Sequence, residues 1–229
     1  MSDAPYADIA HCVFDAYGTL LDLESATHGA TAKIGAEKEK ALNALWRRKQ
    51  LDYTWLRSLM GHYDDFWRVT GEALDHAMDA LDVADPSLRA ELMQNYLGLR
   101  AFDDAAPTLQ ALSDAGKRRV VLSNGAPSML TSSITQGSCG GLIDAILSAD
   151  SVQVFKPDPR VYQLACDRLN AEPGEICFFS SNGWDIAGAS EFGFHTIWVN
   201  RAGATPERLP KGPTHTLPDL ASAKPLFGL

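Results

Sequence analysis

From residue 102 onward, short apolar runs alternate with helical patterns, and this alternation narrows the fold more than any other feature of the chain. A helix over 106–115 leads to the strand Val120-Val121-Leu122. A second helix follows Pro127, and 143–147 reads as a strand. Then come a helix over 158–169, a strand over 176–179, a helix over 185–192 and a strand over 196–199. Such alternation builds βαβ units, hence a parallel sheet with right-handed crossovers. An earlier run, Ala10-His11-Cys12-Val13-Phe14-Asp15, reads as a short buried strand that ends on an acid and is broken at Gly18.

Between these parts the texture is helical from about residue 37 to 100. Leu42, Leu45, Trp46, Tyr53, Leu56 and Met60 fall on one stripe at helical spacing. A further helical pattern covers 63–81, and a third opens at Pro86-Ser87 and runs through Leu92, Tyr96 and Leu99. The expected architecture is therefore α/β: a doubly wound parallel (Rossmann-like) core made of residues 1–20 and 100–229. A helical cap subdomain, 21–99, is inserted after the first strand. The glycine-rich stretch 137–141 supports no assignment.

Composition removes whole classes of function. The chain has 229 residues, and 29 Asp+Glu against 20 Lys+Arg give a net charge of −9. That balance disfavours nucleic acid and anionic membrane surfaces, which need Lys/Arg. Taken globally it also disfavours small anionic substrates. Cys12, Cys139, Cys166 and Cys177 have no metal or disulfide spacing and read as small core residues. Residues 1–9 carry Asp3 and Asp8 without a basic n-region, and no apolar run approaches the ~20 residues of a membrane span. A soluble, cytoplasmic chain is expected. The six histidines are scattered without metal-ligand spacing, so neither metal nor other cofactor is expected.

Ligands of open α/β sheets bind beyond the carboxyl ends of the strands. Here those ends carry Asp15-Ala16-Tyr17-Gly18-Thr19, then Ser123-Asn124-Gly125, then Lys156-Pro157-Asp158, then Ser180-Ser181-Asn182-Gly183-Trp184-Asp185. Taken singly, each has an ordinary explanation as a turn, a cap or a solvated side chain. Their convergence, in order, at one crevice is what points to chemistry. No phosphate-binding loop, dinucleotide fingerprint or nucleophile elbow competes.

These four segments resemble the ordered motifs of the haloacid dehalogenase superfamily. The segments 45–51, 53–60, 154–162 and 180–185 are similar to those of (S)-2-haloacid dehalogenases, and together they span most of the chain. The resemblance implies that Asp15 displaces halide from C2 of a short (S)-2-halo acid. Water then hydrolyses the aspartyl ester to an (R)-2-hydroxy acid, without metal. Superfamily phosphatases carry a second Asp where this chain has Tyr17. That acid protonates an alkoxide leaving group, whereas halide needs no proton.

The same resemblance assigns roles. Lys156 keeps Asp15 ionised, and Thr19, Ser180 and Tyr162 hold Asp15 and Lys156 in place. Asp185 with Asn182 positions and activates the water. Ser123, Lys156 and amides near Ala16 and Tyr17 bind the substrate carboxylate. Arg47 takes the halide with help from Asn124, although the helical pattern alone reads Arg47 as an exposed basic residue. Tyr17, Leu51, Phe66 and Trp184 form an apolar wall around C2, and Arg48 tunes side-chain tolerance. Arg47, Arg48 and Lys156 then set three positive charges against Asp15 and Asp185, so the global count does not exclude an anionic substrate. Two alternatives remain: a related hydrolase using the same ester on a strained-ring or fluoroacetate-type substrate, and a silent binding protein. The expected partners are the halo carboxylate and halide, with a homodimer possible.

Overall fold

The computed structural model describes residues 4–229; the first three residues of the 1–9 stretch, Asp3 included, lie outside the described residues. Strand β1 is His11–Phe14. The chain then builds helices α1 (Thr31–Ile34), α2 (Ala36–Met60), α3 (Phe66–Ala80) and α4 (Pro86–Tyr96) before returning to the sheet. From there α5 (Ala105–Asp114), β2 (Arg118–Ser123), α6 (Pro127–Gln136), β3 (Ala145–Ser148), α7 (Pro159–Leu169), β4 (Ile176–Ser180), α8 (Gly183–Phe192), β5 (His195–Val199) and β6 (His215–Leu217) follow. The strands form one six-stranded sheet in the order β3-β2-β1-β4-β5-β6. Every pair is parallel. The doubly wound core expected from the alternation is thus present.

The central strands are almost wholly buried, as a sheet covered on both faces requires. Helix starts are written locally. Asp85 caps α4 by accepting from the Ser87 and Leu88 amides, with Pro86 in the first turn. Asp158 and Pro159 repeat that device at α7, where the Asp158 carboxylate accepts from the Arg160 amide. Gly61, at φ +67°, closes the long helix α2 in the left-handed region.

The helical insert leaves and re-enters the sheet at one stem. The Asp22 amide donates to the Arg100 carbonyl at 2.7 Å and the Phe102 amide to the Leu20 carbonyl at 2.9 Å. Leu21 and Ala101 pair as an antiparallel bridge. The insert then folds over the carboxyl edge of the sheet. The Tyr63 hydroxyl donates to Asp150 at 2.8 Å, and the Phe155 amide donates to the Ser58 hydroxyl at 3.1 Å.

Two readings need correction. Leu56 and Met60 are 50% and 61% exposed, so the apolar stripe read on α2 does not coincide with its buried face. That face is Leu42, Trp46, Gln50 and Thr54. Two of its four residues are polar, which is why apolar spacing pointed elsewhere. Trp55 of α2 sits edge-on to Trp184 of the sheet domain, 5.3 Å between centroids. Strand β6 was not expected; three residues at a sheet edge are too short to show a period.

The glycine-rich stretch 137–141 closes α6 at Gly137 and continues into a 3₁₀ turn, Gly140–Leu142, that buries Cys139. All four cysteines are free and buried, as expected of core residues. Among the described residues no helix is long and apolar enough to cross a membrane.

Candidate active site

Strand β1 lies where strand order reverses, with β2 on one side and β4 on the other. Asp15 follows it directly, and its amide extends the ladder by donating to the Phe179 carbonyl at 2.9 Å. The residue is only 6% exposed. Oδ2 accepts from Asn182 Nδ2 at 2.8 Å, Thr19 Oγ1 at 3.1 Å and Ser180 Oγ at 3.4 Å. Among the described residues Oδ1 accepts from Lys156 Nζ alone, at 3.3 Å. Every partner is a donor, the pattern a carboxylate that only accepts requires. Gly18 makes the turn possible: its φ is +82°, and a Cβ there would meet Ser181 Oγ at 2.9 Å.

Lys156 comes from the loop between β3 and α7, and 1% of its surface is exposed. The solvated reading of a lysine before proline is overturned. Its ammonium bridges Asp15 and Asp185, reaching Asp185 Oδ2 at 2.9 Å. Its amide donates to Asn124 Oδ1 at 2.8 Å, so the loop after β2 fixes the loop after β3. Asp185, in the first turn of α8, is fully buried. Burial raises its pKa from 3.8 to about 6; Lys156 opposes the rise and Asp15 adds to it.

Tyr162 was expected to hold Asp15 and Lys156. It instead donates to Asp185 Oδ1 at 2.8 Å and lies 3.2 Å from the Asp185 carbonyl, fixing Lys156 only through that acid. Asn182 was expected beside the water. Its amide nitrogen bridges Asp15 Oδ2 and the Tyr17 carbonyl, the latter at 3.3 Å, while its oxygen accepts from Arg47 Nη2 at 3.3 Å. Ser123 is buried and its hydroxyl accepts from the Gly125 amide at 3.2 Å. The Ala16 and Tyr17 amides have no acceptor among the described residues.

The roof comes from the helical insert. Arg47 is half-buried against the site, not solvated. Its Nη1 donates to Gln50 Oε1 at 2.7 Å. Tyr17 stacks on Phe66 at 5.7 Å and tilts against Tyr96 at 5.4 Å. Leu51 and Trp184 are half-buried. Arg48 departs from expectation. It is exposed, with no hydrogen bond or ion pair among the described residues, so the three-to-two charge balance becomes two to two. Sequence reading missed Gln50 and Tyr96, which face Arg47, and Thr70, which holds Gln50. The spacing of Arg47 and Gln50, one helical turn apart, was the available signal.

Residues 9–193 match the family model of haloacid dehalogenase-like hydrolases. The chain belongs to that family. Among family members, it is 48% identical over 197 residues to (S)-2-haloacid dehalogenase 4A of Burkholderia cepacia, covering 86% of this chain and 85% of the relative. It is 47% identical over 194 residues to (S)-2-haloacid dehalogenase 1 of Pseudomonas sp. (strain CBS-3), covering 84% and 85%. A crystal structure of a dehalogenase superposes with a TM-score of 0.93 at 45% identity, over 95% of this chain and 96% of that one. The L-2-haloacid dehalogenase of Xanthobacter autotrophicus, solved with chloropropionic acid covalently bound, gives 0.85 at 35% identity, over 93% and 96%. Against that family background, Asp15, Lys156 and Asp185 form one buried charge cluster beneath Arg47.

Proposed function

We propose that this chain hydrolyses short (S)-2-haloalkanoic acids to (R)-2-hydroxy acids through an ester on Asp15, with residues 21–99 acting as a cap. The observation that carries the reading is the buried Asp15–Lys156–Asp185 cluster, closed over by Arg47. Its relatives named (S)-2-haloacid dehalogenases support the substrate class.

Among the described residues three donors pin Asp15 Oδ2, and only Lys156 donates to Oδ1. Oδ1 is therefore the oxygen that attacks C2. The C2–halogen bond breaks with both electrons leaving on the halide, which departs toward Arg47 and Asn124. Guanidinium is permanently charged and weakly hydrated, so it suits a large, soft anion. Ser123 and the free Ala16 and Tyr17 amides hold the substrate carboxylate. Tyr17, Phe66, Leu51 and Trp184 keep bulk water from the displacement.

In the second step water attacks Cγ of the ester while Asp185 accepts its proton. The Cγ–O bond to the substrate oxygen breaks, that oxygen takes a proton, and Asp15 is regenerated as a carboxylate. The proposal is metal-independent. Asp15 Oδ2 and the Tyr17 carbonyl converge, yet both accept from Asn182 Nδ2, so an amide stands between the oxygens a hard cation would use. Position 17 also supplies no second carboxylate.

The test is chloride release from (S)-2-chloropropionate with excess chelator, followed by a single turnover in ¹⁸O-water. Chloride should appear, with the label on Asp15 and unlabelled lactate. Absence of chloride, or lactate labelled in the first turnover, would overturn the ester route.

A further inference from the structure

Three half-buried or buried arginines elsewhere in the chain are neutralised by carboxylates. Arg57 meets Glu72 at 2.6 Å, Arg119 meets Asp144 at 3.0 Å and Arg201 meets Asp104 at 2.9 Å. Arg47 is different. It donates to two side-chain amide oxygens, Gln50 Oε1 at 2.7 Å and Asn182 Oδ1 at 3.3 Å, and faces the Tyr96 hydroxyl, and among the described residues no carboxylate lies within ion-pair reach. A neutral oxygen orients a guanidinium as a carboxylate does but leaves its charge uncompensated.

The orientation of the Gln50 amide is itself dictated. Gln50 is 1% exposed on the buried face of α2. Its Nε2 donates to Thr70 Oγ1 at 2.7 Å. The Thr70 hydroxyl spends its proton on the Phe66 carbonyl at 2.6 Å, so toward Gln50 it can only accept. The amide nitrogen must therefore face Thr70, and the amide oxygen must face Arg47. Tyr96 braces the same amide, with its hydroxyl 3.1 Å from Nε2 and 3.3 Å from Oε1. Tyr96 is in turn clamped between Tyr17 and Trp46, each with centroids 5.4 Å away.

We propose that Gln50 is a positioning residue: fixed by Thr70 and Tyr96, its amide oxygen aims the Arg47 guanidinium at the departing halide without neutralising it. This rests on the reading of Arg47 as the halide acceptor. Glutamate at this position would still present an oxygen to Arg47 but would cancel its charge and lose the donor that meets Thr70. A hydrocarbon would keep the charge and lose the aim.

Gln50→Leu, Gln50→Glu and Tyr96→Phe are made in the native and the Arg47→Ala backgrounds. The measurements are the single-turnover rate of chloride release, KM, inhibition by bromide and the melting temperature. In the native background Gln50→Leu should slow chloride release by roughly 10- to 100-fold, the scale of a misplaced catalytic group, while KM moves much less. Tyr96→Phe should give a smaller loss of the same kind. Gln50→Glu should weaken bromide inhibition, because the anion then meets a compensated cation. In the Arg47→Ala background none of the three should slow the reaction further. Equal losses in both backgrounds would mean that Gln50 only supports the fold, and would overturn the positioning role while leaving the halide reading intact. Full activity of Arg47→Ala alone would overturn the halide reading. If Gln50→Leu does not fold, Tyr96→Phe decides the positioning role by the same comparison.

Discussion

Replacing Asp185 by asparagine should stabilise the protein at neutral pH while stopping turnover. Asp185 is fully buried, and burial raises its pKa from 3.8 to about 6 despite Lys156 Nζ at 2.9 Å. Because the folded value lies above the unfolded one, the native state binds the proton more tightly between these limits. The associated stability is fully present below the unfolded pKa and is lost as pH rises through the folded one. At about 1.4 kcal/mol per unit, a rise of about two units costs roughly 3 kcal/mol by pH 7. Asparagine avoids that ionisation. Its Oδ1 can still accept from Lys156, and its Nδ2 can donate to Tyr162, whose hydroxyl retains the Asp185 carbonyl at 3.2 Å as an acceptor. The net gain should be about 1–3 kcal/mol, or several degrees in Tm for a chain of this size. Urea and thermal unfolding of both proteins at pH 5 and pH 7.5 measure it, and the difference should grow with pH. A variant less stable than the native protein at both values, or a pH-independent gap, would refute the reasoning. Intact-protein mass measurement should meanwhile show the variant trapped as its substrate ester.

Other outcomes follow from the same geometry. Turnover should rise with pH through an apparent midpoint near 6 as Asp185 ionises, and Tyr162→Phe, which removes a hydrogen bond that lowers this pKa, should move that midpoint upward; a pH–kcat profile decides. Lys156→Met leaves Asp15 and Asp185 buried without their shared cation, which should cost about 3–5 kcal/mol at neutral pH and be partly recovered on acidification, read by denaturant melts. Gly125→Ala would place a Cβ 2.8 Å from Tyr17 Cε2 and 2.9 Å from Leu130 Cδ2, so it should destabilise by about 1–3 kcal/mol and lower kcat as the Tyr17 ring is displaced. Wild-type stability and turnover in that variant would show the ring to be free to move.

Much of the site is legible in the chain because its residues sit at fixed, local places in a repeating pattern. A strand that ends on Asp15, a Ser123-Asn124 turn, Lys156 before a proline and Asp185 at a helix start are each readable within a few residues. Parallel topology then brings those strand ends to one edge. The pattern could not tell which donor meets which acceptor. Tyr162 bonding Asp185, and Asn182 spanning Asp15, Tyr17 and Arg47, depend on how helices α2, α7 and α8 and the segments after β1 and β4 are placed against one another.

The roof was the least legible part. Arg47 and Gln50 lie on a helix whose buried row mixes apolar and polar residues, so periodicity favoured Leu56 and Met60, which the structure leaves exposed. Burial of a polar side chain depends on partners far away in sequence: Thr70 for Gln50 and Asn182 for Arg47. Arg48, adjacent to Arg47, points out to solvent because successive helical residues face about 100° apart. The sequence by itself therefore determined the alternating α/β core, the helical insert and the reactive groups at the strand ends, all of which follow from local pattern. Only the tertiary structure decided which charges are buried, which are compensated and which one, Arg47, is left facing the site with its charge free, because those depend on desolvation and distance between segments that meet only once the chain has folded.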